Sequence, residues 1–529
     1  MPKNHPESPA TTVPVPDGAP AVPAHGEVLP APGLPAPAVP AAAAARPRKT
    51  PPVLHWLVAA TFIVILNETI MMNALPVLMD VFQVTERTVQ WLSTAFMLTM
   101  AVVIPATGWF LQRVTTRAAF VSAMSVFLAG TAIAAAAPIF EILLLGRIVQ
   151  AVGTAVMLPL LMTTLMTVVP EHDRGRVMGN VMLAISVAPA MGPAVSGLLL
   201  AVGSWRLIFI VVLPIVAAII IAGLRYLMNV GENESGPLDQ LSVILAALGF
   251  GITVYGLSEI GADDPSLHPA ITIIVGLLGI ALFAGRQIQL QRTGAPLLDL
   301  RTLTHRTYAL ALGLLAFGFM AMMGAMVLFP LFLQNARDLS ALQTGLLMMP
   351  GGLAMGLLGP TVGRMFDKHG GRLLIVPGAI GILVGLAIFA RMSLTMPLGV
   401  VLAAHILLMV SLAAVFTPVF TIGLSAVPPH LYSHGSSLLA TLQQVAAAMG
   451  AAILITVMAA RARVLESAGA SDLEALVGGM QWAFGVGALL GIAILAFAVF
   501  MPHRPDGFGE DEPGVGEPGV GDSAAAGQH

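Results

Sequence analysis

The sequence predicts an all-α integral membrane protein with fourteen transmembrane helices, and two observations lead to this fold class. Of the 529 residues, 57% are hydrophobic and only 10% are charged, whereas soluble domains carry about 25% charged residues. In addition, apolar stretches of about 20 residues recur along the chain, and each can cross a hydrocarbon core of about 30 Å as a helix. A soluble fold could not hide so much apolar surface.

The predicted spans follow one another at short intervals between two tails. They cover residues 53–78, 91–111, 118–138, 141–169, 176–203, 206–227, 241–260, 269–289, 308–333, 342–365, 372–391, 396–424, 434–461 and 478–501. Residues 1–50 are rich in Pro and Ala and lack an apolar period, so we expect a disordered tail. Residues 502–529 are polar and rich in Gly and Pro, which predicts a second disordered tail. The chain contains no cysteine, which excludes disulfides and thiol chemistry.

The distribution of basic residues predicts the orientation in the membrane. An even number of spans places both tails on one side, and 17 of the 24 Lys and Arg residues lie on that side. Six lie on the opposite side, and Arg147 lies inside a span. Because cytoplasmic loops retain Lys and Arg, we expect both termini to be cytoplasmic.

Two short loops repeat one pattern. "GWFLQRVTTR" (108–117) and "GRMFDKHGGR" (363–372) each begin with Gly, have a basic residue five positions on, and end with Arg. The residues that share the pattern are Gly108, Arg113 and Arg117 in the first copy and Gly363, Lys368 and Arg372 in the second. Duplicated halves with matching loops are typical of secondary transporters. The glycine lets two helices approach closely, and an acid such as Asp367 can cap a helix N-terminus.

The second loop resembles a known family motif. Gly363, Asp367, Lys368, Gly370 and Arg372 match the loop motif of the major facilitator superfamily. Residues 53–501 are similar to its fourteen-helix drug:proton antiporter branch. Further motifs agree: "LNETIMMNALP" (66–76), "GRIVQAVGTA" (146–155), "GNVMLAISVAPAMGPAVSG" (179–197) and "WRLIFIVVLP" (205–214). The resemblance implies a six-helix bundle at 51–229, an inserted helix pair at 230–292 and a second six-helix bundle at 293–501.

The chain also departs from the family pattern. The branch usually has aspartate where this sequence has Asn67, and the acid lies one position later, at Glu68. One residue rotates a side chain about 100° around a helix, so the usual assignment of the proton site does not transfer directly. The first loop has Gln112 where the family favours aspartate. Other departures are Ala188 and Ser196, which replace glycines, and Val212, which replaces an asparagine.

Glu68 is the candidate proton site. It lies roughly 22 Å along its helix from the tail side, and Arg147 lies at nearly the same depth on a helix that runs the other way. An ionisable residue inside the membrane is a functional candidate by default. Two interpretations remain open, namely proton coupling at Glu68 or a fixed ion pair with Arg147. Arg147 is always charged, so it either biases the pKa of Glu68 or has a structural role.

Other polar and small residues are expected around this site. The residues predicted to line a substrate cavity are Asn67, Met71, Met72, Gln150 and Gln444. The antiporter motif contributes Gly179, Pro189, Gly192, Pro193 and Gly197. Within it, the stripe of Ala188, Gly192 and Ser196 indicates close helix packing, or a bendable helix that seals the protein while its two halves rock.

These features predict a transporter and not an enzyme. The chain has no phosphate-binding loop ending in Gly-Lys-Ser or Gly-Lys-Thr and no metal-ligand cluster, so we expect no cofactor, nucleotide or nucleic acid. The resemblance implies a monomeric efflux protein of the bacterial plasma membrane. Its partners would be the lipid bilayer, protons and hydrophobic compounds, cationic ones among them. A dedicated exporter of one natural product or metabolite and an uncoupled facilitator remain alternatives. A membrane-embedded lipid enzyme would need a polar catalytic cluster that the sequence lacks.

Overall fold

The computed structural model describes residues 52–230, 238–260, 267–292 and 296–503. Over these residues every long element is a helix, and the fifteen α-helices are named α1 to α15 in chain order. The prediction of an all-α membrane protein is confirmed. The predicted disordered tails, 1–50 and 502–529, lie outside the described residues except for Pro502 and His503.

The helices match the predicted spans closely. They are α1 (Pro52–Phe82), α2 (Glu86–Arg113), α3 (Thr116–Ala136), α4 (Phe140–Val168), α5 (Arg174–Val202), α6 (Leu207–Ile210), α7 (Val212–Tyr226), α8 (Gln240–Ser258), α9 (Pro269–Gln291), α10 (Arg306–Leu331), α11 (Ala341–His369), α12 (Arg372–Phe389), α13 (Leu398–Ser425), α14 (Tyr432–Ser467) and α15 (Asp472–Phe500). The short α6 continues into α7 as one span.

The number of spans follows from the length and hydropathy of the described helices. Thirteen segments are long and apolar enough to cross a membrane, and α5 is the fourteenth if its two parts are counted as one bent span. The bend, 40°, falls between Gly192 and Val195, where the sequence has Pro193. Proline has no amide hydrogen to donate to the preceding turn, which is the common cause of a helix bend.

Local sequence sets several helix ends. The hydroxyls of Thr85 and Thr115 accept the backbone N–H three residues on and cap α2 and α3. Ser340 and Gln343 form a reciprocal capping box at the start of α11. Gly370 ends that helix with φ of +76°, a conformation that glycine adopts without steric cost. These turns are short, so consecutive spans run antiparallel.

The helices form two sets and a pair. In the first set, α1 packs on α5, and α4 packs on α2 and α3. In the second set, α10 packs on α14, α12 on α13, and α15 on both α12 and α14. Helices α8 and α9 pack against each other, and the two sets meet where α5 contacts α11 and α2 contacts α14. The described chain clusters as one compact unit, so the domain boundaries at 229/230 and 292/293 stay predictions.

An ion pair joins the ends of α8 and α9 and predicts a pH effect. Arg286 donates to Asp239 at 3.0 and 3.2 Å. This bond and a second from Ser242 lower the pKa of Asp239 from 3.8 to about 2. A lowered carboxyl pKa stabilises the fold above the unfolded-state pKa, and the effect is lost as pH falls through the folded-state pKa. Asp239→Asn should therefore lower the melting temperature slightly at neutral pH, and the difference from the unmodified protein should disappear as pH falls from 3.8 to about 2.

The effect should be small because both side chains are partly exposed. Thermal unfolding in detergent measures it. Glu466→Gln, which changes an exposed acid, serves as the control and should leave the melting temperature unchanged. Equal stability of Asp239→Asn and the unmodified protein at neutral pH would contradict the prediction.

Candidate functional site

A buried arginine network joins α1, α2 and α4. The side chain of Arg147 is 1% exposed. Its Nη1 donates to Asn67 Oδ1 at 3.3 Å and to Gln150 Oε1 at 3.0 Å, and its Nε lies 3.5 Å from the Leu92 carbonyl. The guanidinium lies 4.2 Å above the Phe96 ring, a favourable cation–π distance. In these direct contacts a full positive charge is surrounded by neutral groups.

Gln150 extends this network to α3. Its Nε2 donates to Thr131 Oγ1 at 2.8 Å, while its Oε1 accepts from Arg147. The Asn67 amide nitrogen, by contrast, is buried and has no hydrogen-bond acceptor among the described residues. Helices α1, α2 and α3 are thus bonded to the Arg147–Gln150 pair of α4. Inside the membrane no water can replace a hydrogen bond that is lost.

Glu68 interacts electrostatically with Arg147, but the two side chains do not form an ion pair. Among the described residues the Glu68 carboxylate forms neither a hydrogen bond nor an ion pair within 4.0 Å. Glu68 is half-buried. Asn67, one position earlier, points to α4, and Thr69, one position later, faces Gly192 on α5. Because successive residues differ by about 100° around a helix, Glu68 lies on the face of α1 between the faces that carry Asn67 and Thr69.

Three of the five residues predicted to line the substrate cavity are fully buried in the structure. Asn67, Met71 and Gln150 are at most 1% exposed, so in this conformation they are packed and do not line open space. Met71 lies in an apolar cluster with Leu78 and Leu143, so in this conformation it packs among helices of the first set. The side chain of Met72 lies outside the described residues.

Gln444 is half-buried on α14 and faces the first set of helices. It lies one turn after Ala440, which packs against Phe96 and Met100 of α2, and residues four apart share a helix face. Gln444 therefore lies on the face of α14 that meets α2. Sequence spacing alone did not predict which helix this face meets.

The two sets pack most closely near the membrane end that holds Pro52 and His503, which we call the tail end. There α5 and α11 cross at glycines. A Cβ on Gly363 would lie 2.1 Å from the Gly175 carbonyl oxygen, and one on Gly179 would lie 2.2 Å from the Gly359 carbonyl oxygen. Real Cβ atoms do not occur at such distances, so only glycine allows this approach of two backbones.

Asp367 adds a charged interaction to this contact of α5 with α11; we call each line of contact between the two sets a seam. Its carboxylate accepts the backbone N–H groups of Gly175 at 2.9 Å and of Arg176 at 2.7 Å. These N–H groups belong to the first turn of α5, where the helix dipole favours a negative charge. An acid on α11 thus caps a helix of the other set.

The first loop copy meets α14 in a different way. A Cβ on Gly108 would lie 2.9 Å from His434 Nδ1. Gln112, which occupies the position equivalent to Asp367, donates through Nε2 to the His430 carbonyl at 3.1 Å. It therefore binds a carbonyl with a neutral amide, whereas Asp367 binds N–H groups with a charged carboxylate. The seam between α2 and α14 lacks the charge-assisted cap found at the other seam.

The basic residues of the loop motifs have separate partners. Arg113 lies over the Trp109 ring at 4.7 Å, and Arg117 donates to the Leu224 carbonyl. The N–H of Gly371, between Gly370 and Arg372, donates to the His503 carbonyl at 2.7 Å. Lys368 lies in the last turn of α11. Arg117 thus joins α3 to α7 within the first set, and Gly371 joins the second loop to the end of the described chain.

Arg174 joins the two sets, although no sequence pattern marks it as a functional residue. It is 6% exposed, and its guanidinium donates to Ser425 Oγ at 2.9 Å and to the Tyr432 hydroxyl at 3.3 Å. The same group donates to the carbonyls of Met166 and Val169. In the sequence Arg174 has the appearance of an ordinary loop cation, because neither its burial nor its distant partners leave a local pattern.

Toward the opposite end, the glycines of α5 and α11 are no longer in close contact. A Cβ on Gly197 of α5 or on Gly345 of α11 would meet no atom within 4 Å. Closer to the middle, Gly352 of α11 still packs on Ala190 of α5. Contact between α5 and α11 is therefore close at the tail end and absent at these two glycines near the opposite end.

Replacing Asp367 should loosen the tail end. In Asp367→Asn the amide keeps a carbonyl acceptor but loses the charge that the α5 dipole favours, which costs about 1 kcal/mol. That cost corresponds to an about fivefold shift of the conformational equilibrium toward opening of the tail end. Because the chain has no cysteine, a single Ser436→Cys reports the change through its rate of alkylation, since Ser436 is 2% exposed.

Gln112→Ala is the matched comparison at the equivalent position. It removes one neutral hydrogen bond and should raise the alkylation rate less than Asp367→Asn does. An equal or larger increase with Gln112→Ala would contradict the view that the charged cap is the stronger of the two.

Comparison with known proteins agrees with this architecture. A family model described as Major Facilitator Superfamily matches residues 57–451. Lincomycin resistance protein LmrB of Listeria monocytogenes is 38% identical over 456 residues, covering 85% of this chain and 96% of its own length. Multidrug resistance protein B homolog of Mycobacterium tuberculosis is 29% identical over 381 residues, covering 70% of this chain and 69% of its own length. These names are consistent with the drug efflux branch inferred from the motifs.

Solved structures share the fold at low sequence identity. The human organic anion transporter MFSD10 (TETRAN) has a TM-score of 0.61 and 16% identity, covering 85% of this chain and 100% of that one. The proton:xylose symporter XylE has a TM-score of 0.57 and 16% identity, covering 86% of this chain and 96% of that one. Because the family model covers most of the chain and LmrB is 38% identical to it, the chain belongs to the major facilitator superfamily, and it is a membrane transporter and not an enzyme.

Proposed function

We propose that the chain is a proton-coupled efflux transporter that exports hydrophobic small molecules, cationic ones among them, by alternating access. Glu68 is its proton site. The single observation that carries this proposal is the position of Glu68, which is half-buried inside a span and forms neither a hydrogen bond nor an ion pair with a described residue.

The arginine network supports the coupling step. Arg147 stays charged in both states of the cycle, and its hydrogen bonds are taken by Asn67 and Gln150. The Glu68 carboxylate is therefore free to take up a proton without breaking an ion pair. When ionised it offsets the buried charge of Arg147 and attracts a cationic substrate. When protonated it does neither, so substrate and proton compete for one site.

The seams support alternating access. We propose that the tail end is cytoplasmic, because 17 of the 24 Lys and Arg residues lie on that side, and that the membrane is the bacterial plasma membrane. With the tail end closed by Asp367 and the glycine crossings, this conformation faces outward. Rocking of the two sets about the midplane would open the tail end and close the other end. Both seams come from one chain, so we expect the transporter to act as a monomer.

The names of the relatives guide the substrate test. Purified protein in weakly buffered detergent solution is mixed with a panel of compounds that includes lincomycin and hydrophobic cations, and proton release is recorded. A substrate that competes with the proton should release protons, and the release should saturate with substrate concentration. If the compounds that bind to the protein release no protons, the proposed coupling is wrong.

The same panel separates the alternatives. Release by one compound alone would favour a dedicated exporter of a single natural product or metabolite. Transport in proteoliposomes that does not depend on a pH gradient would favour an uncoupled facilitator. The proposed multidrug transporter requires release by several chemically unrelated compounds.

A further inference from the structure

Helices α8 and α9 have no part in the transport cycle proposed above. They pack tightly on each other, because a Cβ on Gly279 would lie 2.8 Å from the Gly249 Cα atom. In addition, α8 contacts α2 of the first set and α14 of the second set. If the two sets rock, the relation between α2 and α14 changes, and the helix pair can follow only one of them.

Gln287 ties the pair to the segment that leads into α10. It is fully buried, and its Nε2 donates to Ser242 Oγ of α8 at 2.7 Å. Its Oε1 accepts the backbone N–H groups of Leu297 at 2.8 Å and Leu298 at 3.1 Å. One side chain of α9 thus holds both its partner helix and the following segment.

Further polar contacts continue toward the second set. Gln291 at the end of α9 donates to Asp299 at 3.2 Å, and Asp299 is 2% exposed. The short helix that follows, Leu300–Thr304, contacts α10 and α14. The Tyr308 hydroxyl of α10 donates to the Gly435 carbonyl of α14 at 2.7 Å. Hydrogen bonds therefore join α9 to the segment that ends at Asp299, and this segment continues through Leu300–Thr304 into α10 of the second set.

The chain that precedes the pair is bonded to the first set instead. Thr116 at the start of α3 exchanges hydrogen bonds with the backbone of Val230, at 3.1 and 3.3 Å. The side chain of Asn229 accepts the N–H of Arg117 at 3.2 Å. The described chain is thus bonded to the first set as far as Val230 and to the helix pair from Asp239 onward.

The contact of α8 with α2 is formed by apolar side chains instead of hydrogen bonds. Ala101 of α2 packs in an apolar cluster with Phe250 of α8, and a Cβ on Gly251 would lie 3.2 Å from Val102. The Trp109 indole N–H, which borders this cluster, has no acceptor among the described residues. Beside these contacts an apolar groove of about 400 Å³ separates the two helices. Apolar contact is non-directional, so it tolerates sliding better than hydrogen bonds do.

We propose that α8 and α9 move as part of the second set and slide along α2, so that they cover the seam between α2 and α14 on its membrane side throughout the cycle. This inference rests on the proposed alternating access. It assigns the inserted pair to one moving body and places the sliding surface at the contact of α2 with α8.

Three pairs of spin labels test the assignment in the full-length chain, which offers no native cysteine. The labels are placed on exposed side chains in the tail-end half of the molecule: Leu224 of α7, Ile288 of α9 and Leu373 of α12. Distances are measured in acidic and alkaline buffer and with Asp367→Asn. The distance from Leu224 to Ile288 should change together with that from Leu224 to Leu373, while the distance from Ile288 to Leu373 stays constant.

The outcomes separate this inference from the proposed function. A constant distance from Leu224 to Ile288, with a changing distance from Leu224 to Leu373, would assign the pair to the first set and overturn the inference. A changing distance from Ile288 to Leu373 would overturn it as well. A distance from Leu224 to Leu373 that never changes would show that the sets do not rock. Alternating access would then fail, and the inference would fail with it.

A variant adds a second readout. Gln287→Leu keeps the bulk of the side chain but removes its three hydrogen bonds, so the distribution of distances from Ile288 to Leu373 should become broader. Ser258→Ala, which removes a hydroxyl at the opposite end of α8, is the control and should leave that distribution unchanged. An unchanged distribution in Gln287→Leu would show that these hydrogen bonds do not hold the pair to the second set.

Discussion

We expect Glu68→Gln to abolish substrate-induced proton release and efflux driven by a pH gradient, while the protein still inserts and folds. Glutamine has the size of glutamate but cannot take up a proton in this pH range. The substitution breaks no ion pair, because Arg147 bonds to Asn67 and Gln150 instead. The loss should therefore reach the background of empty liposomes. The melting temperature should fall only slightly, because Arg147 loses a nearby negative charge but keeps its hydrogen bonds.

A matched control uses another acid on a membrane helix. Glu141 lies in the first turn of α4 and is exposed, so Glu141→Gln should leave proton release and efflux unchanged. Normal proton-coupled efflux by Glu68→Gln would refute Glu68 as the proton site. Misfolding of this variant, seen as a large drop in melting temperature, would point instead to the structural role for Glu68 that the sequence left open.

We also expect Gly179→Leu to prevent closure of the tail end and to reduce transport strongly. A Cβ at this position would lie 2.2 Å from the Gly359 carbonyl oxygen, and a leucine side chain needs still more room. Overpacking of this kind costs about 1–3 kcal/mol, which shifts a conformational equilibrium by about 5- to 150-fold. The rate of alkylation at Ser436→Cys should rise accordingly.

Gly197→Leu is the control on the same helix. A Cβ at Gly197 meets no atom within 4 Å in this conformation, so the substitution should not raise the rate of alkylation at the tail end. If Gly179→Leu transports normally and leaves Ser436→Cys protected, the close crossing of α5 and α11 is not required for the cycle.

Much of the fold could be predicted from the sequence. Length and hydropathy locate the spans to within a few residues, because a helix must be about 20 apolar residues long to cross a bilayer. The residue pattern also identified Glu68 and Arg147 as the ionisable pair at similar depth. The sequence did not show how the side chains of Glu68 and Arg147 interact. Spacing allowed a direct contact, whereas in the structure the asparagine one position earlier takes the hydrogen bond.

The partners across the interface could not be predicted. Asp367 was expected to cap a helix, but nothing local identifies α5, some 190 residues earlier, as that helix. Arg174 shows the same limit, since its partners Ser425 and Tyr432 are more than 250 residues away. Met71 shows this limit too, because its neighbours in sequence do not indicate that it packs with Leu143 of α4 and is 1% exposed.

Sequence by itself determined that this protein is a helical membrane protein with repeated loops and a carboxylate inside a span. These properties follow from hydropathy and from the 100° step between residues, both of which are local. Only the tertiary structure decided which helix Asp367 caps, which residues bond Arg147 and where two backbones cross at glycines. Each of these depends on the distance between helices that are far apart in the chain, and that distance is set by packing.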